Sequence, residues 1–158
     1  MNTYSERRTQ KNALLETSIQ KQQSLIADLT GRIKDLLHKE GLGNEDEFDN
    51  NVRSQEAQEA REIDSLNKEL QFAKEELDTL RYLGNFRETI HCIAEPGAVV
   101  ETDRSTFFIS VSTEQLKVNG KTIIGISTGS PLYQAMKGKQ SGQKFHCKGI
   151  DYKVVNIY

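Results

Sequence analysis

The feature that most restricts this chain is a regular spacing of residues in its first half. In two segments, residues that would face a partner helix recur at intervals of four and three residues, which alternate except at the start of the second segment, where two intervals of three follow each other. They are Leu15, Ile19, Gln22, Ile26, Leu29, Ile33 and Leu36 in the first segment, and Ala60, Ile63, Leu66, Leu70, Ala73, Leu77 and Leu80 in the second. This spacing keeps one narrow stripe of a helix against a partner helix, as in a coiled coil. We therefore predict two long helices that bury a single seam.

The segment between the two stripes predicts a turn, because it contains glycines and asparagines that end helices. A short connection makes neighbouring helices antiparallel, so we expect an α-helical hairpin over residues 1–84. The seam weakens toward the turn, since Glu56 and Glu59 stand where apolar residues are expected. A change of register at this point would bury Ala57 and Ala60 instead.

The second half, residues 85–158, predicts a different kind of domain. Its Val-, Ile- and Thr-rich runs are typical of strands, and Asn119-Gly120 suits a tight hairpin turn. The predicted strands are 88–93, 98–101, 106–111, 116–118, 121–126, 144–148 and 152–157, and the predicted helix is 131–137. The fold class is therefore α+β, with a coiled-coil hairpin followed by a small antiparallel sheet and one short helix.

Charge divides in the same way as the predicted elements. Residues 1–84 contain 12 basic and 17 acidic side chains, and residues 85–158 contain 9 and 6, which gives the net charge of −2. Apolar residues make up only 35% of the chain, as expected if half of it buries one stripe. We find no apolar run of about 18 residues, no signal-peptide core and no cysteine framework. These observations predict a cytoplasmic protein.

The predicted turn near residues 40–50 is strongly acidic. Its carboxylates belong to Glu40, Glu45, Asp46, Glu47 and Asp49. Carboxylate oxygens suit Mg²⁺, so the cluster indicates a metal-assisting site. A solvated loop that is polar for solubility is the alternative interpretation.

Two further patterns favour structural roles. The dipeptides His91-Cys92 and His146-Cys147 lack the spacing of zinc ligands and are predicted to be half-buried sheet residues. Five lysines make the second half basic, and a solvated face is favoured over an acidic partner or nucleic acid. They are Lys137, Lys139, Lys144, Lys148 and Lys153.

The segment from Ser130 to Gly142 resembles a segment of the bacterial GreA/GreB transcript-cleavage factors. It reads Ser-Pro-Leu-Tyr-Gln-Ala-Met-Lys-Gly-Lys-Gln-Ser-Gly, and the family has Ser-Pro-Leu-x-x-Ala-Leu-x-Gly-Lys-x-x-Gly. Residues 152–158 are also similar to the last strand of the family, so the resemblance extends over almost the whole chain. It implies an FKBP-like C-terminal domain that docks on RNA polymerase at the rim of the secondary channel, with Ser130, Pro131 and Leu132 at the docking edge.

The resemblance also implies an accessory factor that is not an enzyme itself. Acids at the hairpin tip of the family help to hold the second Mg²⁺ of the polymerase and orient a water, so that the polymerase cleaves its own backtracked RNA. In this chain the residues assigned to that role are Glu45, Asp46, Glu47 and Asp49. The implied partner is RNA polymerase, with indirect contact to nascent RNA. We expect a monomer with no membrane contact and no tightly bound cofactor, only Mg²⁺ shared with the polymerase.

The tip lacks the two metal-assisting acids of the family pattern. The family segment Asp-Leu-Ser-Glu-Asn-Ala-Glu-Tyr aligns with residues 41–48, so its two metal-assisting acids fall on Gly41 and Asn44. Two functions therefore stay open: stimulation of cleavage through the neighbouring acids, and a non-cleaving homologue that inhibits or modulates polymerase. Two alternatives are less favoured. A peptidyl-prolyl isomerase would need an aromatic-lined pocket, and aromatic residues are few in this chain. A coiled-coil chaperone or adaptor would need exposed apolar residues at the tip, where Leu42 and Phe48 are the only large ones.

Overall fold

The computed structural model describes residues 3–40 and 50–158, and most predicted elements are present. The helices are α1 (Tyr4–Glu40), α2 (Asn50–Gly84) and α3 (Pro131–Met136). The strands are β1 (Val99–Thr102), β2 (Thr106–Ser110), β3 (Gln115–Val118), β4 (Lys121–Ser127), β5 (Lys144–Cys147) and β6 (Ile150–Ile157). These elements confirm the α+β class with a helical hairpin before a small sheet. No helix of the described segments is long and apolar enough to cross a membrane.

The elements form two compact units. One unit consists of Met1–Gln20 together with Asp78–Tyr158, and the other of Lys21–Leu77. The first unit therefore contains the whole sheet with the first turns of α1 and the last turns of α2. The predicted domain boundary between residues 84 and 85 stays a prediction.

The unit of residues 21–77 buries the predicted seam. One buried apolar cluster of this unit consists of Leu29, Ile33, Leu66 and Ala73, with Ile26, Leu36, Ile63 and Leu70 packed against them. Gln22 is also buried, and its Nε2 donates to the carbonyl oxygen of Ala73 at 2.9 Å. A polar residue in the seam is thus satisfied by the backbone of the facing helix, which removes most of the cost of burying it.

The second stripe differs from the prediction where it begins. Glu59 is half-buried, whereas Ala57 and Ala60 are exposed. The stripe therefore extends from Ile63 back by four residues to Glu59 and not by three to Ala60. This continues the alternation of intervals and keeps the stripe on one side of the helix. The predicted change of register that would bury the alanines is wrong.

The sheet of the other unit has the strand order β3-β4-β2-β1-β6-β5. Its neighbouring strands are antiparallel except β2 and β4, which run parallel, so the predicted antiparallel sheet is corrected at this pair. The hairpin turn at Asn119 and Gly120, with φ of 50° and 79°, places β3 on the outer edge of β4. The inner edge of β4 is then left for β2. Residues before β3 pass close to Gly125, where a Cβ would lie 2.6 Å from the carbonyl oxygen of Val111.

Both faces of this sheet are covered. Successive side chains of a strand point to opposite faces, so each strand contributes to the packing on both sides. On one face Val99 and Phe108 join a buried cluster with Leu14 of α1 and Leu80 of α2. On the other face the alternate residues of the same strands join a cluster with Met136 of α3. The ends of the long helices therefore belong to the hydrophobic core of this unit.

Residues 88–93 do not form the predicted strand. The backbone N–H groups of Asn85, Phe86 and Thr89 donate to carbonyl oxygens three residues earlier, so this part of the chain is a series of turns. Ile93 makes only an isolated bridge with Gln140. Both edges of β1 are already paired, with β2 and with β6, so the segment has no free edge there.

Candidate functional site

The predicted acids of the tip lie in the segment 41–49, outside the described residues. They are Glu45, Asp46, Glu47 and Asp49. Within residues 3–40 and 50–158, no group of three or more His, Cys, Asp or Glu side chains is placed to hold a metal ion. The metal-assisting role of the tip therefore stays a prediction.

Ser130 and Pro131 have definite structural roles at the start of α3. The Ser130 Oγ accepts a hydrogen bond from the backbone N–H of Tyr133 at 3.1 Å and donates to the carbonyl oxygen of Ser127 at 2.9 Å. It is the N-cap of the helix, and Pro131 occupies the first turn, where its missing N–H leaves no bond unmade. Pro131 is exposed and Leu132 is half-buried against the core. The predicted docking residues thus form the rigid start of a surface helix.

The end of this helix is fixed by hydrogen bonds to the segment before β1. Gly138 has a φ of 75°, and its N–H donates to the carbonyl oxygen of Ala94 at 2.9 Å. The N–H of Ala94 in turn donates to the carbonyl oxygen of Lys139 at 2.9 Å. The glycine therefore allows a left-handed turn that docks the chain on a second segment.

The two His-Cys pairs have different surroundings, and only one residue fits the prediction. Cys147 is a half-buried residue of β5, whereas His146 of the same strand is exposed, with its Nδ1 2.7 Å from a carboxylate oxygen of Asp151. Cys92 is exposed and lies outside the sheet. His91 is buried but is also outside the sheet, because the predicted strand is absent.

His91 lies beside a buried lysine that the sequence reasoning missed. Burial lowers the pKa of Lys11 from 10.5 to about 8, which the charge of Glu95 opposes. Burial also lowers the pKa of His91, although its Nδ1 lies 2.7 Å from Oε1 of Glu95 and this bond raises the pKa. The alternation of four and three places Asn12, and not Lys11, before Leu15 in the seam, so the spacing gave no signal of the burial of Lys11.

The five lysines from Lys137 to Lys153 are mostly solvated. All are exposed except Lys139, which is half-buried. Their exposure agrees with the favoured interpretation of a solvated basic face.

Comparison with known proteins gives a distant structural similarity. The chain is similar to the crystal structure of GreA factor homolog 1 (Gfh1) protein of Thermus thermophilus, with 18% sequence identity, 91% of this chain and 92% of that chain covered, and a TM-score of 0.32. No protein-family model and no curated protein matches the chain. A likeness of this extent establishes neither a family nor a function.

Proposed function

We propose that this protein is a Gre-like transcription elongation factor that binds RNA polymerase at its secondary channel. The observation that best supports the proposal is the similarity of residues 130–142 to the GreA/GreB factors. The shared residues have specific structural roles, since Ser130 caps α3, Pro131 begins it and Gly138 makes the left-handed turn after it. Shared residues that together specify one surface helix support the resemblance better than the same number of identities scattered along the chain.

The docking edge in this proposal is the start of α3. Pro131 is exposed and can contact a partner directly, while Ser130 and Leu132 hold the backbone in place. Little conformational freedom is lost when such a pre-organised element binds. The same edge would serve a factor that stimulates cleavage and a factor that only occupies the channel.

The hairpin would extend into the channel and carry the carboxylates, and the polymerase would carry out the reaction. Residues 21–40 of helix α1 lie in the unit of residues 21–77, which corresponds to a length of about 30 Å. A coiled coil of this length can enter a channel too narrow for a globular domain. Mg²⁺ and the catalytic groups would belong to the polymerase, so the protein would be an accessory factor and not an enzyme.

A non-cleaving regulator is the second candidate, and the composition of the tip favours it. Gly41 and Asn44 occupy the positions of the two metal-assisting acids of the family, and neither residue can supply a carboxylate. Such a protein would occupy the channel and inhibit or modulate synthesis without stimulating cleavage.

A backtracked elongation complex distinguishes the two functions. If the protein stimulates cleavage, adding it shortens the transcript from its 3′ end, and the double variant Glu45→Ala/Asp46→Ala abolishes this effect. The control is Glu62→Ala, which removes an exposed carboxylate from α2 far from the turn in sequence. Binding that changes the rate of synthesis without shortening supports the regulator, and absence of binding refutes the proposal.

The docking edge is tested with a pair of adjacent variants. Pro131→Ala removes the exposed ring and should weaken binding to polymerase at least threefold, since rigid apolar contacts dominate many interfaces. Gly129→Ala adds a methyl group with nothing within 4 Å and should leave the affinity unchanged. Equal affinities for both variants and the wild type would show that docking uses another surface.

A further inference from the structure

A small cationic pocket lies wholly within the unit of residues 1–20 and 78–158. It has a volume of about 130 Å³ and is lined by Arg7, Arg8 and Lys11 of α1 and by Arg87 of the turns that follow α2. Glu88 is the one acid among the described lining residues, and it forms an ion pair with Arg8. The lining side chains therefore have a net charge of +3.

Two buried polar atoms of the lining residues have no hydrogen-bond partner within the described structure. They are the Nε of Arg7 and the hydroxyl oxygen of Tyr158. Arg7 does donate another N–H to Oδ1 of Asn156 at 3.2 Å, and Tyr158 is only 4% exposed. Buried polar groups normally have a partner, so these two donors leave hydrogen-bonding capacity unused beside the pocket, while the charge of Glu101 also acts on Tyr158. Burial raises the pKa of Tyr158 to about 12, so the hydroxyl keeps its proton and can donate.

Lys11 is the most buried cation of the pocket, with 4% of its surface exposed. Its Nζ donates to the carbonyl oxygen of Thr89 at 3.3 Å, and an ammonium group has three donors in all. A buried ammonium group loses its hydration, which is why burial lowers its pKa. An anion in the pocket would replace that hydration and favour the charged form.

The nearest acids do not supply the negative charge that the cations of the pocket lack. Glu95 bonds to His91 at 2.7 Å, and the Oε1 of Glu101 lies 3.5 Å from the Nζ of Lys121 without a hydrogen bond. Neither of them lines the pocket. The protein therefore gathers cations around a space without placing a free carboxylate in it.

We infer that this pocket binds a phosphoryl group, either of inorganic phosphate or pyrophosphate, or of a nucleotide. Several acceptor oxygens and more than one negative charge suit a cluster of guanidinium groups and one ammonium group. A volume of about 130 Å³ accepts the phosphoryl group but not a whole nucleotide. A nucleoside would lie at the rim, where Tyr4 and Ile90 are 54% and 63% exposed. The inference does not depend on the proposed role in transcription.

Titration calorimetry with pyrophosphate on the full chain at pH 7 tests the inference. Arg7→Gln should weaken binding by about tenfold or more, because a charge-assisted hydrogen bond is lost. Tyr158→Phe removes only a hydroxyl group and should weaken binding about three- to tenfold. The matched controls are Arg61→Gln and Tyr82→Phe, both at exposed positions of α2, and neither should change the affinity.

The source of the phosphoryl group is found by comparing inorganic phosphate with adenosine monophosphate. Tighter binding of the nucleotide that is lost in Tyr4→Ala identifies a nucleotide site, and equal affinities identify a site for the free anion. Both results support the inference. It is overturned if pyrophosphate gives no more heat than sodium chloride of equal ionic strength, or if the control variants weaken binding as much as the pocket variants do.

Discussion

Replacement of the buried Lys11 by methionine should stabilise the protein at neutral pH. Methionine has a similar length and no charge, and a buried charge replaced by an apolar side chain of similar volume often raises stability. The pKa of Lys11 is lowered from 10.5 to about 8 in the folded protein. At roughly 1.4 kcal/mol per pKa unit, the folded state therefore disfavours the charged lysine by about 3 kcal/mol.

The sign of the pH dependence follows from proton binding. Between pH 8 and 10.5 the unfolded chain binds the Lys11 proton and the folded chain has released it, so the stability of the wild type rises with pH. The cost of burial is fully present below pH 8 and disappears as the pH approaches 10.5. For these two pKa values it is about 3 kcal/mol at pH 7 and about 1 kcal/mol at pH 10.

Urea unfolding of the wild type and Lys11→Met at pH 7, 8, 9 and 10, followed by circular dichroism, measures this effect. The advantage of the variant should fall by about 2 kcal/mol across the range. Burial and the charge of Lys11 lower the pKa of His91, so its titration in the wild type lies below this window. Lys74→Met, at an exposed position of α2, is the control and should show a constant difference. A constant difference for Lys11→Met as well would refute the reasoning.

Two further substitutions test the packing of the unit that contains the sheet. Leu80→Ala should lower the free energy of unfolding by about 2–5 kcal/mol, because Leu80 is fully buried, while Leu37→Ala, at a half-exposed position, should change it by less than about 0.5 kcal/mol. Gly125→Ala should cost about 1–3 kcal/mol, because its Cβ would meet the hydroxyl oxygen of Thr113, whereas Gly129→Ala has open space and should be nearly neutral. Chemical denaturation measures all four values, and equal effects within either pair would contradict the packing described.

The parts of the fold that depend on local pattern could be predicted from the sequence. The intervals of four and three identify one face of each long helix, and Asn119-Gly120 identifies the hairpin between β3 and β4. The same reasoning failed where a local pattern was ambiguous. Glu59 and Ala60 are adjacent and both suit a helix; the alternation of intervals favours Glu59, whereas apolar character favours Ala60, and the spacing is the better guide here.

The errors in the sheet have a different cause, since strand pairing is not local. Residues 88–93 have the composition of a strand, but the available edges of β1 are already taken by β2 and β6. The parallel pairing of β2 with β4 depends on the path of the chain past Gly125, which brings residues far apart in sequence into contact. Composition alone does not indicate which strand occupies which edge.

The cationic pocket could not be predicted, because its residues come from three separate parts of the chain. Arg7 and Lys11 lie on α1, Arg87 follows α2, and Tyr158 follows the last strand. None of these residues belongs to a recognisable motif. The seam pattern falls on Asn12 and not on Lys11, so it did not indicate the buried lysine either.

The cost of burying Lys11 also predicts how pH and a bound phosphoryl group act together. An anion beside the ammonium group favours the charged form, so it raises the pKa of Lys11 back toward the value in the unfolded chain. If the two values become equal, folding no longer releases the lysine proton, and the rise in stability between pH 7 and 10 should disappear at saturating pyrophosphate. Binding itself adds about 2.7 kcal/mol at a ligand concentration of 100 Kd. In Lys11→Met only the ionisation of pyrophosphate itself can change the slope, so an identical effect of pyrophosphate on the slopes of both proteins would show that the anion does not bind beside Lys11.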